Sequence, residues 1–346
     1  MPDMSLSDAK IYIAAPAAFH SGGPELLHQL CFKLRKHGYD AIMWYCTVPG
    51  QDEVLVHPLY EPYENPARKY LDIEGDSASK RYCVLPEATP MKSYIEALEA
   101  LSIIPIIWWL SVDNYFFPNM PPDSPWFGDD PDIAGMKQKP ISHLIQSAYA
   151  GWFVRERMRI PEKVGIYTLK DFLRKEYLTK DDKAMPLSKD RLPVVLFNPK
   201  KGGEFTNKLL NYAQGQRENE GLIWWAIIDM IPEQIAYLIS KSRLYIDFGN
   251  HPGMDRMPRE AAVGGCCVIT GKKGAAAFYE DVPIPDIYKF DDIDDNIPDI
   301  FSMIVELVFN YDAHIERFAN YRAFIRPQET QFEEDMISAF SKIICQ

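Results

Sequence analysis

Between two short apolar runs, Arg243-Leu244-Tyr245-Ile246 and Cys266-Cys267-Val268-Ile269-Thr270, the chain gathers a histidine, acids and arginines into one loop. It reads Asp247-Phe248-Gly249-Asn250-His251-Pro252-Gly253-Met254-Asp255-Arg256-Met257-Pro258-Arg259-Glu260-Ala261-Ala262. Pro258 has the φ of a first helical turn, and Gly264-Gly265 stops the short helix that follows. The flanking runs read as buried strands. A charged loop therefore lies at the carboxyl end of a strand and feeds a helix N-terminus. In open α/β sheets ligands bind at that edge, and helix N-termini favour phosphate there. The chemistry on offer is capture of a small anionic ligand.

Further residues of the same kind stand at other strand ends. Asn198-Pro199-Lys200-Lys201-Gly202 follows the strand Val194-Val195-Leu196-Phe197, and two lysines there can neutralise a leaving anion in place of a metal. Lys272-Lys273-Gly274-Ala275-Ala276 follows the run that ends at Thr270. Gly22-Gly23-Pro24-Glu25 opens the first helix, where glycines let a ligand approach the backbone closely. Glu87 and Asp113 sit just past strand ends, and His20 just before the glycine turn. Each is a candidate general base. No metal site is expected: no DxD follows an apolar strand, Asp292-Ile293-Asp294 lies in an acidic stretch, and no His/Cys ligand spacing appears. Residues 17–24 do not supply the GxGxxG of a hydride-transfer enzyme.

The elements that position these residues alternate from the start. Ile11 to Ala15 is a strand, and Leu26, Leu27, Leu30, Cys31 and Leu34 form the stripe of a helix that Gly38 closes. Ala41 to Cys46 is the next strand, completing a Rossmann-like unit. Residues 48–78 read as an insertion or loop region, 81–85 as a strand, 91–101 as a helix and 103–110 as a strand. A Pro-rich aromatic loop spans 116–131, and helices are expected at 141–154 and near 169–177. The charged stretch 179–191 is the expected linker. A second alternating unit follows: strand 194–197, helix 205–213, strand 222–228, helix 232–240 and strand 243–246. Residues 281–299, with seven Asp and no other acid, read as a surface connection. The end is helical, with Phe332, Met336, Phe340 and Ile343 on one face. The domains expected are 1–185, 186–330 and a C-terminal helix at 331–346.

A length of 346 residues suits two domains that each bury a core. The formal net charge of −12 argues against nucleic acid as a partner, because phosphate backbones need a basic footprint. Six cysteines without CxxC spacing read as free thiols in a reducing compartment. The first ten residues lack a signal peptide's apolar run, and residues 101–112 are too few to span a bilayer, so a cytoplasmic protein is expected. Trp152-Phe153 beside Arg155, Arg157 and Arg159 is a candidate patch for weak peripheral contact at the inner membrane face.

The motifs resemble those of the GT-B nucleotide-sugar glycosyltransferases of the family 1/4-like group. The resemblance rests on Gly22-Gly23-Pro24-Glu25, on Lys200-Lys201, on the loop 247–262 and on Lys273-Gly274. It implies two Rossmann-like α/β domains facing across a cleft, with the C-terminal helix returning to the first. It implies that Glu260 holds the donor ribose and that Lys200, Lys201 and Arg256 meet the diphosphate. His251 or Asp255 would meet the donor sugar or phosphate, and Lys273, Gly274, Gly22 and Gly23 would complete the donor contacts. The acceptor, a glycan or lipid-linked glycan, would be addressed by Asp113, Glu87 or His20, with Trp108, Trp109 and Tyr115 as stacking candidates. The reaction implied is metal-independent glycosyl transfer in surface polysaccharide synthesis, with no cofactor beyond the nucleotide-sugar. One departure is plain: retaining members often carry a second Glu eight positions before the first, and Pro252 stands there. A non-catalytic glycan- or nucleotide-binding subunit and a nucleotide-sugar epimerase of the same fold remain as alternatives.

Overall fold

The computed structural model describes residues 9–46, 56–116, 139, 141–161, 163–178 and 188–345. The chain forms two compact units, one of Met1–Asp171 with Phe332–Gln346 and one of Phe172–Gln331. The first unit is built on strands β1 (Ala9–Pro16), β2 (Asp40–Cys46), β3 (Ala67–Lys69), β4 (Lys80–Pro86), β5 (Ile104–Trp109), β6 (Ser142–Ile145) and β7 (Ile166–Thr168). They pair in the order β3-β2-β1-β4-β5-β6-β7. Every ladder is parallel. Parallel strands are covered on both faces, which is why their sequences are near-continuous apolar runs rather than alternating ones. Helix α1 (Gly22–Lys36) buries Leu26, Leu27, Leu30, Cys31 and Leu34, and α2 (Met91–Ala100) buries Met91, Ile95 and Leu98.

Two sequence expectations fail here. Residues 141–154 are not one helix: they hold β6 and then the short α3 (Ala148–Trp152). Ser142-His143-Leu144-Ile145, half polar, is too short to carry a period, and only pairing with β5 and β7 makes it a strand. Near 169–177 a single 3-10 turn, Lys175–Tyr177, forms, while Leu169, Phe172 and Leu173 are buried from irregular backbone. The expected loop at 116–131 and linker at 179–191 fall, except for Phe116 and residues 188–191, outside the described residues. The insertion read at 48–78 contains a 3-10 segment, Pro58–Tyr63, and the short edge strand β3.

The second unit has strands β8 (Leu192–Phe197), β9 (Ile223–Ala226), β10 (Ser242–Asp247) and β11 (Cys267–Thr270). Their order is β11-β10-β8-β9, again all parallel. Around them lie α4 (Gly203–Gln214), α5 (Pro232–Lys241), α6 (Arg256–Val263), α7 (Ile297–Phe309), α8 (Tyr311–His314) and α9 (Ala319–Ile325). The last helix, α10 (Gln328–Ile344), buries Phe332, Met336, Phe340 and Ile343. From Phe332 onward it belongs to the first unit, where Glu333 meets Lys33 at 2.5 Å and His37 at 2.8 Å and Phe340 packs edge-on to Tyr39. No helix among the described residues is long and apolar enough to cross a membrane.

Candidate functional site

In the second sheet the chain runs from β8 outward to β9 and then returns to the far side as β10. The reversal lies between β8 and β10, the position at which open parallel sheets bind ligands at their carboxyl ends. Three loops meet there. The loop after β8 packs on the loop after β10 at Gly202, whose φ is +62° and whose added Cβ would sit 2.2 Å from the Phe248 carbonyl oxygen. The loop after β11 packs on the loop after β10 at Gly274, with φ +54° and an added Cβ 2.1 Å from the His251 carbonyl oxygen. Both positions need glycine for conformation and for space. Two backbone bonds complete the join: Gly271 N–H donates to Asp247 O and Ala275 N–H to His251 O, each at 2.8 Å.

Side chains of opposite charge then link the loops. Lys201 Nζ donates to Asp255 Oδ2 at 2.8 Å, joining the β8 and β10 loops. His251 takes a left-handed backbone (φ +45°) and is fully buried, with Nε2 3.4 Å from Asp247 Oδ1 and Nδ1 3.4 Å from Asp255 Oδ2. Asp247 accepts from Tyr245 Oη at 2.8 Å and Gly249 N–H at 2.9 Å. Burial raises its carboxyl above the ordinary range, with His251 opposing. Arg259, also fully buried, donates to Met254 O, Asp255 O and Gln328 Oε1, and so fixes the turn into α6. Glu260 is buried in α6. Burial first, and Glu260 next, raise the Tyr177 hydroxyl, while Arg174 and Arg256 oppose. Tyr177, Glu260, Arg174 and Arg256 thus form one charged neighbourhood.

The structure brings Lys201, His251, Asp255 and Gly274 together, with Arg256 and Glu260 on the helix that continues the loop. Lys200 and Lys273 have other partners: Lys200 is 80 % exposed and 4.0 Å from Asp229, and Lys273 pairs with Asp292. His251 is in the interior, not on a surface that a ligand reaches. Sequence reading missed Tyr177 and Arg174, which precede the second sheet by more than a dozen residues and carry no motif. Tyr321 and Thr270, whose buried hydroxyls make no hydrogen bond, were missed likewise.

The first sheet reverses between β1 and β4. His20, Gly22 and Gly23 follow β1, with His20 exposed and stacked on His57 at 5.3 Å. An added Cβ at Gly22 meets nothing within 4 Å, so no protein contact demands glycine there. Glu87, after β4, is 2 % exposed, and its carboxylate accepts Leu110 N–H at 2.8 Å and Ser111 N–H at 3.0 Å. Burial pushes its pKa up to about 7 against those bonds. Asp113 is half-buried and accepts from Tyr149 Oη at 3.0 Å. Trp108, Trp109 and Tyr115 are core residues, with the indole N–H groups donating to Leu169 O and His143 Nδ1. They present no face to a sugar. Of the basic aromatic patch, Phe153 is buried, while Trp152 and the three arginines are exposed.

No protein-family model matches the chain, and no curated protein matches it in sequence. Solved structures do match along the whole length. The lipopolysaccharide outer core galactosyltransferase WaaB aligns with a TM-score of 0.63 at 11 % identity over 96 % of this chain and 99 % of its own. Anabaena HepE in complex with UDP aligns with a TM-score of 0.61 at 11 % identity over 97 % and 98 %. Sucrose-phosphate synthase from Thermosynechococcus elongatus aligns at 0.56 and 12 % over 96 % and 94 %. The fold of the chain is the GT-B fold of these glycosyltransferases.

Proposed function

We propose that the chain is a glycosyltransferase whose second unit binds a nucleotide-sugar donor. The observation that carries this is the joining of the β8 and β10 loops by Lys201 and Asp255, at the reversal point of the second sheet, in a chain with the GT-B fold. Cations and helix N-terminal amides at that edge suit a diphosphate. In this reading Lys201 and Arg256 meet the charge of the departing nucleoside diphosphate, and no metal is needed at that group. Glu260 holds the ribose. Pro252 removes the family's second carboxylate, so Asp255 is the acid of the loop left to face the donor sugar. Of the acceptor-side candidates, Asp113 and His20 keep access to solvent, whereas Glu87 is committed to two backbone amides.

HepE was solved with UDP and with UDP-glucose, which makes uridine donors the first to try. The galactosyltransferase WaaB acts in lipopolysaccharide outer core, which supports a glycan or lipid-linked glycan acceptor in surface polysaccharide synthesis. The test is a thermal-shift screen of UDP, GDP, ADP, dTDP and CMP with their sugar conjugates, on wild type and Glu260→Ala. A ligand at a hundred times its Kd adds about 2.7 kcal/mol, a shift of several degrees. One nucleotide family shifting wild type and not the variant is the expected outcome. No shift from any nucleotide would overturn the reading.

A further inference from the structure

The buried side of the loop after β10 holds a cluster of which the donor reading uses only Asp255. Asp247, His251 and Asp255 each offer one ligand atom, and the three atoms lie within 4.8 Å of one another. Asp247 and His251 are fully buried, and neither ring nitrogen of His251 makes a hydrogen bond. Two further buried groups nearby have none either. Thr270 Oγ1 belongs to the residue paired with Asp247 across the β10–β11 ladder, and the hydroxyl of Tyr321, affected first by burial, feels Arg259 ahead of Asp255, Asp281 and Asp247. Buried polar atoms left without partners ordinarily mark a guest, water or ion.

The donor atoms and their spacing indicate which guest. Two carboxylates face the imidazole, and Lys201 offsets one of them from the Asp255 Oδ2 side. Arg259 spends its donors on Met254 O, Asp255 O and Gln328. Two carboxylates and an imidazole nitrogen converge there, with Lys201 and Arg259 at the Asp255 end. The spacing also fits an ion. Bonds of about 2.0–2.2 Å at a tetrahedral angle put neighbouring ligand atoms roughly 3.4 Å apart, and each carboxylate oxygen lies 3.4 Å from a ring nitrogen. Only one nitrogen can ligate. Asp247 is already braced by Tyr245 Oη and Gly249 N–H, as ligating carboxylates are.

We propose that Asp247, His251 and Asp255 form a site for one small divalent cation that pins the end of β10 to the start of α6. The mixed nitrogen and oxygen donors select Zn²⁺ or Mn²⁺ ahead of Mg²⁺ or Ca²⁺. The ion sits on the interior side of the loop and takes no part in the proposed transfer. It sets the position of Asp255, and through it of Lys201.

The test uses the full chain without an affinity tag and without nucleotide, so it stands whether or not the donor reading holds. Metal content is measured after dialysis, and the EDTA-treated protein is titrated with Zn²⁺, Mn²⁺ and Co²⁺. One ion per chain is expected, lost in Asp247→Asn and in His251→Gln and kept in Lys200→Ala. If the first two variants do not fold by circular dichroism, X-ray absorption on the wild-type Co²⁺ form decides. One imidazole among oxygen ligands supports the site, and thiolate or all-oxygen coordination overturns it. A wild type that neither retains nor binds any of the three ions overturns it too. Metal that persists in both folded variants does the same.

Discussion

Glu87 offers a sharp test, because its environment makes a signed pH dependence. Its carboxylate is buried against two backbone amides at the end of β5, and its pKa rises from an ordinary value near 4.5 to about 7. A carboxyl with a raised native pKa binds a proton in the folded state that the unfolded chain has already released. Between those values stability therefore falls as pH rises. Working the linkage from pH 5 to pH 8 gives a loss on the order of 2–3 kcal/mol from this one group. Glu87→Gln removes the titration and keeps an acceptor for one of the amides. Urea unfolding of both proteins at pH 5, 6, 7 and 8 isolates the contribution of Glu87, since other groups titrate alike in both. The stability of wild type relative to the variant should fall across the range. A difference that stays flat, or grows with pH, would refute the reasoning. The outcome bears on function, because a carboxylate held by two amides is a brace for the β4–β5 edge and not a free base.

The loop junctions should respond as geometry requires. Gly274→Ala puts a Cβ 2.1 Å from the His251 carbonyl oxygen at a left-handed φ, and should cost about 2 kcal/mol or more in urea unfolding and abolish the nucleotide response. Normal stability would show that the two loops are not joined there. Arg259→Met leaves the Met254 and Asp255 carbonyls without their donor in the interior, and about 3 kcal/mol should be lost. Lys201→Ala should weaken UDP binding about tenfold, or roughly 1.4 kcal/mol, in calorimetry, and Lys200→Ala much less. Equal effects would remove the distinction drawn from their partners. Glu333, held at about 2 chiefly by its hydrogen bond from Lys33, contributes stability that is present above its ordinary value near 4.5 and lost as pH falls toward 2. Acid unfolding of Glu333→Gln should lack that component, and an identical acid limb would show the α10 contact with α1 to be energetically idle.

The element pattern was largely legible from the chain. Apolar runs marked β1, β2, β4, β5, β8, β10 and β11 because a parallel strand is buried on both faces, and stripes such as Leu26 to Leu34 and Phe332 to Ile343 marked helices by their spacing. Ser142 to Ile145 escaped because a four-residue strand is defined by its neighbours. The site was legible in part. Lysines, glycines and an acid at strand ends pointed to the loops that the structure joins at the reversal of the second sheet, since the carboxyl edge of a parallel sheet is where loops bind. What each side chain does there depended on burial and partners, which no local pattern encodes. Trp108 and Trp109 could have been a sugar platform or core, and the sheet made them core. His251 could have faced a ligand, and a left-handed turn between buried Asp247 and half-buried Asp255 took it inside. Residue types and strand ends are properties of the chain itself. The partner of each charge is decided only when distant segments, such as Tyr177, Thr270 and Tyr321, fold against the same loop.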